Sequence, residues 1–166
     1  MKKVGIIMGS ASDKPVVLKA AATLAELEIP YEVHIFSAHR TPEEAASFAK
    51  NAEENGFGVI IAAAGMAAHL AGAIAANTLL PVIGIPLKSN CLDGIDALLS
   101  TVMMPSGIPV ASVAIDGAVN AALLSAQILA VSEPELKEKL IARRKKEADN
   151  VRLKDAELQK ELEANG

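Results

Sequence analysis

Short hydrophobic segments recur along the chain, and longer segments with helical periodicity separate them. Five of these segments are predicted to be strands: residues 4–8, 31–37, 59–64, 81–87 and 109–115. Each is hydrophobic almost throughout rather than alternating, which is typical of strands covered on both faces. The pattern therefore predicts an α/β fold with a single doubly wound parallel sheet between layers of helices.

Two of the intervening helices carry start signals. Thr41-Pro42-Glu43-Glu44 combines an N-cap residue, a proline in the first turn and a glutamate suited to a capping box. Pro15 has the same first-turn role after Ser12 or Asp13. The apolar positions after Pro15 form one wide stripe, so this helix is expected to pack on the sheet; they are Val16, Val17, Ala20, Ala21, Leu24 and Leu27.

The composition changes after residue 131, where Ser132-Glu133-Pro134-Glu135 opens a charged segment. Its apolar residues are widely spaced: Leu136, Leu140, Val151, Leu158 and Leu162. Such a segment is either a solvated helix or a helix that packs on a neighbouring subunit, and the thin apolar stripe favours the second. We therefore expect a domain over 1–131 and a helical extension over 132–166 in a homo-oligomer.

Composition excludes several classes of partner. The formal net charge is −4 and aromatic residues make up 2%, so neither a basic face nor stacking platforms for nucleic acid are expected. The first hydrophobic run ends at Gly9 and no other run is long enough to span a membrane. Cys91, the only cysteine, allows no internal disulfide or cysteine metal cluster, which indicates a reducing cytoplasm. A small charged ligand fits better than any of these partners.

Candidate chemistry lies in the loops after the predicted strands, because parallel sheets bind ligands at the carboxyl ends of their strands. The loop Gly9-Ser10-Ala11-Ser12-Asp13 matches neither the dinucleotide fingerprint nor the phosphate-binding P-loop. A Gly-Ser turn that leads into a helix can nevertheless hold one phosphate. Ser12 or Asp13 can equally be a helix cap, and the two roles are compatible.

The next two loops contain histidines. Arg40 offers a permanent cation for phosphate and His39 a group that titrates near neutrality, although both also suit a polar helix-entry loop. His69, among small apolar residues after the third strand, is either a hydrogen-bonded structural residue or part of a site. His34 lies within a strand and is interpreted as structural. The small residues 62–65, 71–73 and 89–90 permit either close backbone approach to a ligand or tight packing.

Several motifs resemble the N5-carboxyaminoimidazole ribonucleotide mutase family. They cover about residues 3–131 in the family's order: Met8-Gly9-Ser10-Ala11-Ser12-Asp13, Ser37-Ala38-His39-Arg40-Thr41-Pro42, Ala67-Ala68-His69-Leu70, Pro81-Val82-Ile83-Gly84-Ile85-Pro86, Met104-Pro105-Ser106-Gly107-Ile108-Pro109-Val110 and Asn120-Ala121-Ala122-Leu123-Leu124. The resemblance implies a flavodoxin-like three-layer αβα sandwich, a homo-octamer and no cofactor or metal. The Ser-Ala-His-Arg-Thr-Pro form implies the mutase rather than the related carboxylase of animals.

The resemblance also implies roles for individual residues. His39 would be the catalytic general acid and base, Ser10 and Arg40 would bind phosphate with the Gly9 loop, and Asp13 would bind the ribose. His69 would line the pocket for the base and the carboxylate. The remaining expected substrate-binding residues are Ser12, Ser37, Gly65, Met66 and Leu70.

The chain departs from the family pattern in the expected carboxylate loop. Met66 stands where the family usually has a second glycine, and Ala71 stands where it has proline. A methionine adds a side chain and restricts the positive φ that glycine allows.

Other classes of protein remain as alternatives. A flavodoxin-like domain can carry flavin or act as a phosphorylated receiver. Ala64 and Gly65 stand where a receiver needs an aspartate, and the loops lack the aromatic residues expected of a flavin carrier. A purely structural assembly protein would leave His39 and Arg40 unexplained.

Overall fold

The structure, a computed structural model, describes residues 1–90 and 92–165. The strands are β1 (Lys3–Met8), β2 (Tyr31–Ile35), β3 (Phe57–Gly65), β4 (Val82–Leu87) and β5 (Ala111–Ser112). The helices are α1 (Lys14–Glu26), α2 (Pro42–Asn51), α3 (Leu70–Ala75), α4 (Ile95–Val102), α5 (Ala118–Leu129) and α6 (Pro134–Asn165), and a short 3₁₀ helix, Ala11–Asp13, precedes α1. Cys91 lies outside the described residues, so the expectation based on it stays a prediction.

The strands form one sheet in the order β2-β1-β3-β4-β5, and every neighbouring pair is parallel. The chain starts near the middle of the sheet and winds outward in both directions, which is the doubly wound arrangement. Met8 is level with Ile35 on one side and Ala63 on the other, and Gly65 is level with Leu87. The loops after β1, β2, β3 and β4 therefore meet at one edge, and the predicted fold is confirmed.

The side chains of β3 show how the sheet is covered on both faces. Val59, Ile61 and Ala63 belong to one buried cluster, which includes residues of α1 and α5. The intervening Ile60 and Ala62 belong to a second cluster with residues of α2 and α3. Because successive side chains of a strand point to opposite faces, a strand buried between two helical layers must be hydrophobic throughout.

Two predicted strands are shorter by two residues or more in the structure than in the sequence pattern. β2 ends at Ile35 and β5 contains only Ala111 and Ser112. The chain after β5 still follows β4, since the Val113 N–H donates to the Gly84 carbonyl at 3.2 Å. Hydrophobic composition predicted where the segments lie, but the hydrogen bonds to the neighbouring strand determine where each strand ends.

Helix α6 is attached to the domain only by its first turns. Leu136 is completely buried in the cluster that includes α1 and α5, and Leu140 packs partly against it. Lys139 and Arg143 form ion pairs at 2.7 Å with Glu28 and Glu26 at the end of α1. At 32 residues the helix is about 48 Å long, and the side chains of residues 150–164 are all exposed.

Two features of other kinds of protein are absent from the described residues. No described helix is both long enough and apolar enough to cross a membrane. Within residues 1–90 and 92–165, no three His, Cys, Asp or Glu side chains cluster so that they could hold a metal ion.

Candidate active site

A cleft of about 490 Å³ lies at the edge of the sheet where the four loops meet. Every residue that the sequence analysis placed in the site lines this cleft: Gly9, Ser10, Ser12, Asp13, Ser37, His39, Arg40, Gly65, Met66, His69 and Leu70. These residues come from positions between 9 and 70 of the sequence, and the sheet order brings them together. The structure thus supports their proximity, whereas their individual roles stay predictions.

The loop after β1 is closed by reciprocal hydrogen bonds. The Ser10 hydroxyl accepts from the Ser12 N–H at 3.3 Å, and the Asp13 carboxylate accepts from the Ser10 N–H at 3.0 Å. This capping box belongs to the 3₁₀ helix, because Asp13 makes no side-chain cap to α1. The Gly9 N–H donates to the Ala63 carbonyl at 3.1 Å and ties the loop to β3. The hydroxyls of Ser10 and Ser12 are thereby fixed in front of α1.

Asp13 is the one acidic side chain that lines the cleft in the described part of the chain. Partial burial raises the pKa of its carboxyl above the ordinary value, and the hydrogen bonds from Ser10 and Ser12 offset part of this effect. A carboxylate that is fixed by a backbone N–H and still borders the cleft can accept hydrogen bonds from ligand hydroxyls.

A tight turn presents His39 and Arg40. The Ser37 N–H donates to the Thr41 hydroxyl at 2.8 Å, and the Arg40 N–H donates to the Ser37 hydroxyl at 3.2 Å. The Thr41 N–H also donates to the Ser37 carbonyl at 2.9 Å. His39 and Arg40 are exposed at the tip, where they border the cleft.

These hydrogen bonds correct one prediction made from the sequence. Thr41 occupies the N-cap position of α2 and Pro42 its first turn, as predicted, but the Thr41 side chain makes no cap to the helix. Its hydroxyl is bonded to Ser37 instead, so the expected capping box with Glu44 is absent. The Thr41 hydroxyl therefore stabilises the turn that carries His39 and not the start of α2.

The loop after β3 keeps an unusual backbone at the position where the family pattern has glycine. Met66 has φ of 55°, in the left-handed region, and its side chain is 66% exposed. The Ala68 N–H donates to the Met66 carbonyl at 2.8 Å, which closes the turn. Met66 therefore adopts the glycine-type backbone and places its side chain at the mouth of the cleft.

The His69 ring occupies space that is free because residue 72 is a glycine. A Cβ added to Gly72 would lie 2.8 Å from Cε1 and 3.1 Å from Nδ1 of the His69 ring. Only glycine allows the ring to lie over the first turn of α3 and beside the cleft. This contact gives Gly72 a role in the geometry of the site that its place in a small-residue segment did not reveal.

The structure adds one charged residue to the cleft and leaves one histidine outside it. Lys88, the first residue after β4, lines the cleft with Ser89 and Asn90. A lysine at a strand end resembles an ordinary surface residue, and only its position in the sheet order could have indicated it.

His34 is not part of the lining and stacks on Phe36 with ring centroids 5.2 Å apart.

Comparison with known proteins identifies close relatives. The family model described as AIR carboxylase matches residues 3–150. The N5-carboxyaminoimidazole ribonucleotide mutase of Pyrococcus horikoshii is 64% identical over 137 residues, which are 82% of this chain and 77% of that protein. The mutase of Mycobacterium tuberculosis is 55% identical over 95% of this chain and 91% of its own length. The crystal structure of Treponema denticola PurE is similar with a TM-score of 0.84 and 32% identity, covering 93% of this chain and 97% of that one.

Proposed function

The chain belongs to the AIR carboxylase family, and on that basis we propose that it is an isomerase of purine biosynthesis. Its substrate would be N5-carboxyaminoimidazole ribonucleotide and its product 4-carboxyaminoimidazole ribonucleotide. Curated relatives from Pyrococcus, Mycobacterium and Escherichia coli carry the mutase name at 53% identity or more. These relatives support the reaction class.

One structural observation carries the proposal. A single cleft is lined by the fixed serine loop and Arg40, which suit a phosphate, and by two histidines, which suit proton transfer. The same cleft contains Asp13, which suits a ribose hydroxyl. A nucleotide with a reactive heterocycle presents all three kinds of partner to a protein.

In the proposed mechanism the carboxyl group leaves the exocyclic nitrogen as carbon dioxide and is recaptured at ring carbon four. His39 donates a proton to the nitrogen as the N–C bond breaks. Carbon four then attacks the carbon dioxide, and His39 recovers a proton from carbon four, which restores the aromatic ring. The proton count of His39 is unchanged over the cycle, and one imidazole performs both transfers.

The other lining residues would bind and orient the nucleotide. Ser10 and Arg40 would hold the phosphate, and Asp13 would accept hydrogen bonds from the ribose. Binding this remote part fixes the heterocycle against His39. The loop from Gly65 to His69 would enclose the carbon dioxide, which must not escape between its release and its recapture.

The first experiment follows product formation directly. The purified protein is incubated with N5-carboxyaminoimidazole ribonucleotide without ATP or bicarbonate, and the ultraviolet absorbance of the 4-carboxy product is recorded against spontaneous decay. We expect product to form well above the blank. No product from this substrate would contradict the mutase assignment.

Replacing His39 tests the acid and base. We expect His39→Asn to reduce kcat by at least about 100-fold, because general acid–base catalysis contributes that much or more. Binding of the product should stay within about twofold, since Asn fits the same turn. His34→Asn is the matched control, because His34 lies outside the cleft. Turnover of His39→Asn at the wild-type rate would contradict the role.

A second candidate, direct carboxylation of aminoimidazole ribonucleotide by free carbon dioxide, is favoured by the description of the family model. The two reactions share the cleft and the product. Supplying aminoimidazole ribonucleotide with bicarbonate in place of the carbamate separates them. A higher kcat/KM with the carbamate supports the mutase, and the reverse order supports the carboxylase.

The assembly is also part of the proposal. On helix α6, Leu140, Val151, Leu158 and Leu162 lie within about 40° of one another around the helix axis. Leu140 packs on the domain, whereas Val151, Leu158 and Leu162 are exposed. The same face that packs on the domain thus continues beyond it, which favours packing on a neighbouring subunit in the expected octamer. The cytoplasmic location predicted from the composition belongs to this proposal as well.

A further inference from the structure

Lys88 is a charged residue of the cleft that the proposed mechanism does not use. It follows β4 directly, and its side chain is 61% exposed where it borders the cleft. Within the described chain, Arg40 and Lys88 are the permanent cations among the lining residues. Lys88 is therefore a second cation that a ligand in this cleft can contact.

The sheet order separates the two cations. β2, which precedes Arg40, and β4, which precedes Lys88, are three strand intervals apart in the order β2-β1-β3-β4. At about 4.8 Å per interval the two strand ends are about 14 Å apart. Arg40 and Lys88 therefore enter the cleft from strands on opposite sides of β1 and β3, and this arrangement suits a ligand that carries two separate anionic groups.

Lys88 lies beside the loop after β3. Gly65 is level with Leu87 in the parallel pairing of β3 and β4, so Met66 and Lys88 leave the sheet next to each other. The expected carboxylate loop therefore begins beside Lys88, and β1 lies between it and β2, the strand that precedes Arg40. Of the two anionic groups of the substrate, the carboxylate is the one expected on this side.

The backbone at Lys88 is held firmly. Its N–H donates to the Asp116 carboxylate at 3.0 Å, and the Asp116 N–H donates to the Pro86 carbonyl at 2.9 Å. Gly94, with φ of 91°, packs so closely that an added Cβ would lie 3.2 Å from the Lys88 Cα. The base of the side chain is thus fixed, and the ammonium group can move on its flexible stem.

The ammonium has a weakly held partner. Lys88 Nζ lies 3.0 Å from Oδ1 of Asp93, whose side chain is 81% exposed. Exposed ion pairs of this kind contribute little and exchange readily. The hydrogen bond and the charge of Asp93, with a smaller contribution from the charge of Asp116, raise the pKa of Lys88 above its ordinary value.

We propose that Lys88 binds the carboxylate of the nucleotide, exchanging Asp93 for it, while Arg40 binds the phosphate. This inference rests on the proposed function, because it needs a ligand with these two anions. It makes Lys88 a residue that distinguishes carboxylated from uncarboxylated nucleotide. Carbon dioxide itself carries no charge, so Lys88 would hold the carboxyl group before its release and after its recapture.

The test compares two nucleotides that differ only in the carboxyl group. Calorimetry measures the Kd of 4-carboxyaminoimidazole ribonucleotide and of aminoimidazole ribonucleotide for the wild type and for Lys88→Met. We expect the variant to weaken binding of the carboxylated nucleotide about tenfold, as for the loss of one charge-assisted contact, and to leave the other within twofold. Lys19→Met, at an exposed position on α1, is the matched control.

We expect Asp93→Asn to have the opposite effect to Lys88→Met on binding of the carboxylated nucleotide. Asn tolerates the positive φ of 50° at this position and removes the competing charge. The affinity for the carboxylated nucleotide should rise two- to fivefold, with no change for the uncarboxylated one. A decrease in this affinity would overturn the exchange of partners.

Two results with Lys88→Met would overturn the assignment of the carboxylate. Equal weakening of both nucleotides would show that Lys88 binds the phosphate or the ribose, and unchanged binding of both would show that it does not bind the ligand. Circular dichroism of the variant separates these outcomes from unfolding. Turnover of the carbamate by the wild type tests the proposed function separately, since it does not depend on what Lys88 binds.

Discussion

Met66 shows at the scale of one residue how this chain differs from its family pattern. Its backbone has φ of 55°, and a side chain in the left-handed region costs about 1 kcal/mol relative to glycine. We expect Met66→Gly to raise the free energy of unfolding by about 1 kcal/mol, measured by urea denaturation. Met8→Gly, at a buried strand position, should lower it. A loss of stability in Met66→Gly would mean that the exposed side chain makes stabilising contacts.

Asp13 links stability to pH. Burial raises its pKa in the folded state above the ordinary 3.8, so folding favours the protonated form. Its stabilising contribution is therefore complete below about pH 3.8 and is lost as the pH rises through the folded-state pKa. We expect Asp13→Asn to raise the free energy of unfolding at pH 7 and to lose this advantage near pH 3.5, while turnover falls.

Denaturation of wild type and variant at both pH values checks this expectation. Glu54→Gln, at an exposed position between α2 and β3, controls for the change in net charge. A lower stability of Asp13→Asn at pH 7 would show that the hydrogen bond from Ser10 outweighs the burial of the charge.

The sequence predicted the location of site residues better than their local contacts. His39 and Arg40 could be placed because a strand and a helix start flank them, and these signals need only neighbouring residues. The bonding of Thr41 to Ser37 could not be predicted, since both a helix cap and a turn suit that hydroxyl. Lys88 was missed because its place in the cleft follows from the sheet order alone.

At the scale of elements, α6 joins the domain through a short buried contact. Leu136 is completely buried, whereas Leu153 is 62% exposed on the same helix. We expect Leu136→Ala to lower the free energy of unfolding by about 3 kcal/mol, from lost burial and a cavity. Leu153→Ala, the matched control, should change it by less than about 0.5 kcal/mol. Equal effects of the two substitutions would contradict this attachment of α6.

The strands also show which features of the sheet can be predicted from the local sequence pattern. Continuous hydrophobic runs identified all five strands and their parallel arrangement, because burial on both faces leaves a local signature. The length of β5 was overestimated. Residues 109–115 are mostly hydrophobic, but only Ala111 and Ser112 pair with β4 as a strand. Hydrogen bonding to the neighbouring strand leaves no comparable pattern in the local sequence.

At the scale of the whole molecule, the exposed length of α6 predicts how subunits associate. Residues 150–164 are entirely exposed in the single chain. If their apolar face packs on a neighbour, removing residues 148–166 should convert the proposed octamer into smaller species. Light scattering measures the mass. A truncated chain with the same mass as the full chain would contradict this role, and Leu153→Ala, on the opposite side of the helix, is the control.

The assembly of the cleft from the ends of four strands has a consequence for folding. Gly9, Arg40, His69 and Lys88 come together only after β1, β2, β3 and β4 have paired, and each parallel pairing joins strands that a crossover connection with a helix separates in the sequence. No local fragment of the chain contains a working part of the site. During refolding from denaturant, recovery of turnover should therefore follow the slowest step of sheet formation, while helical circular dichroism returns earlier.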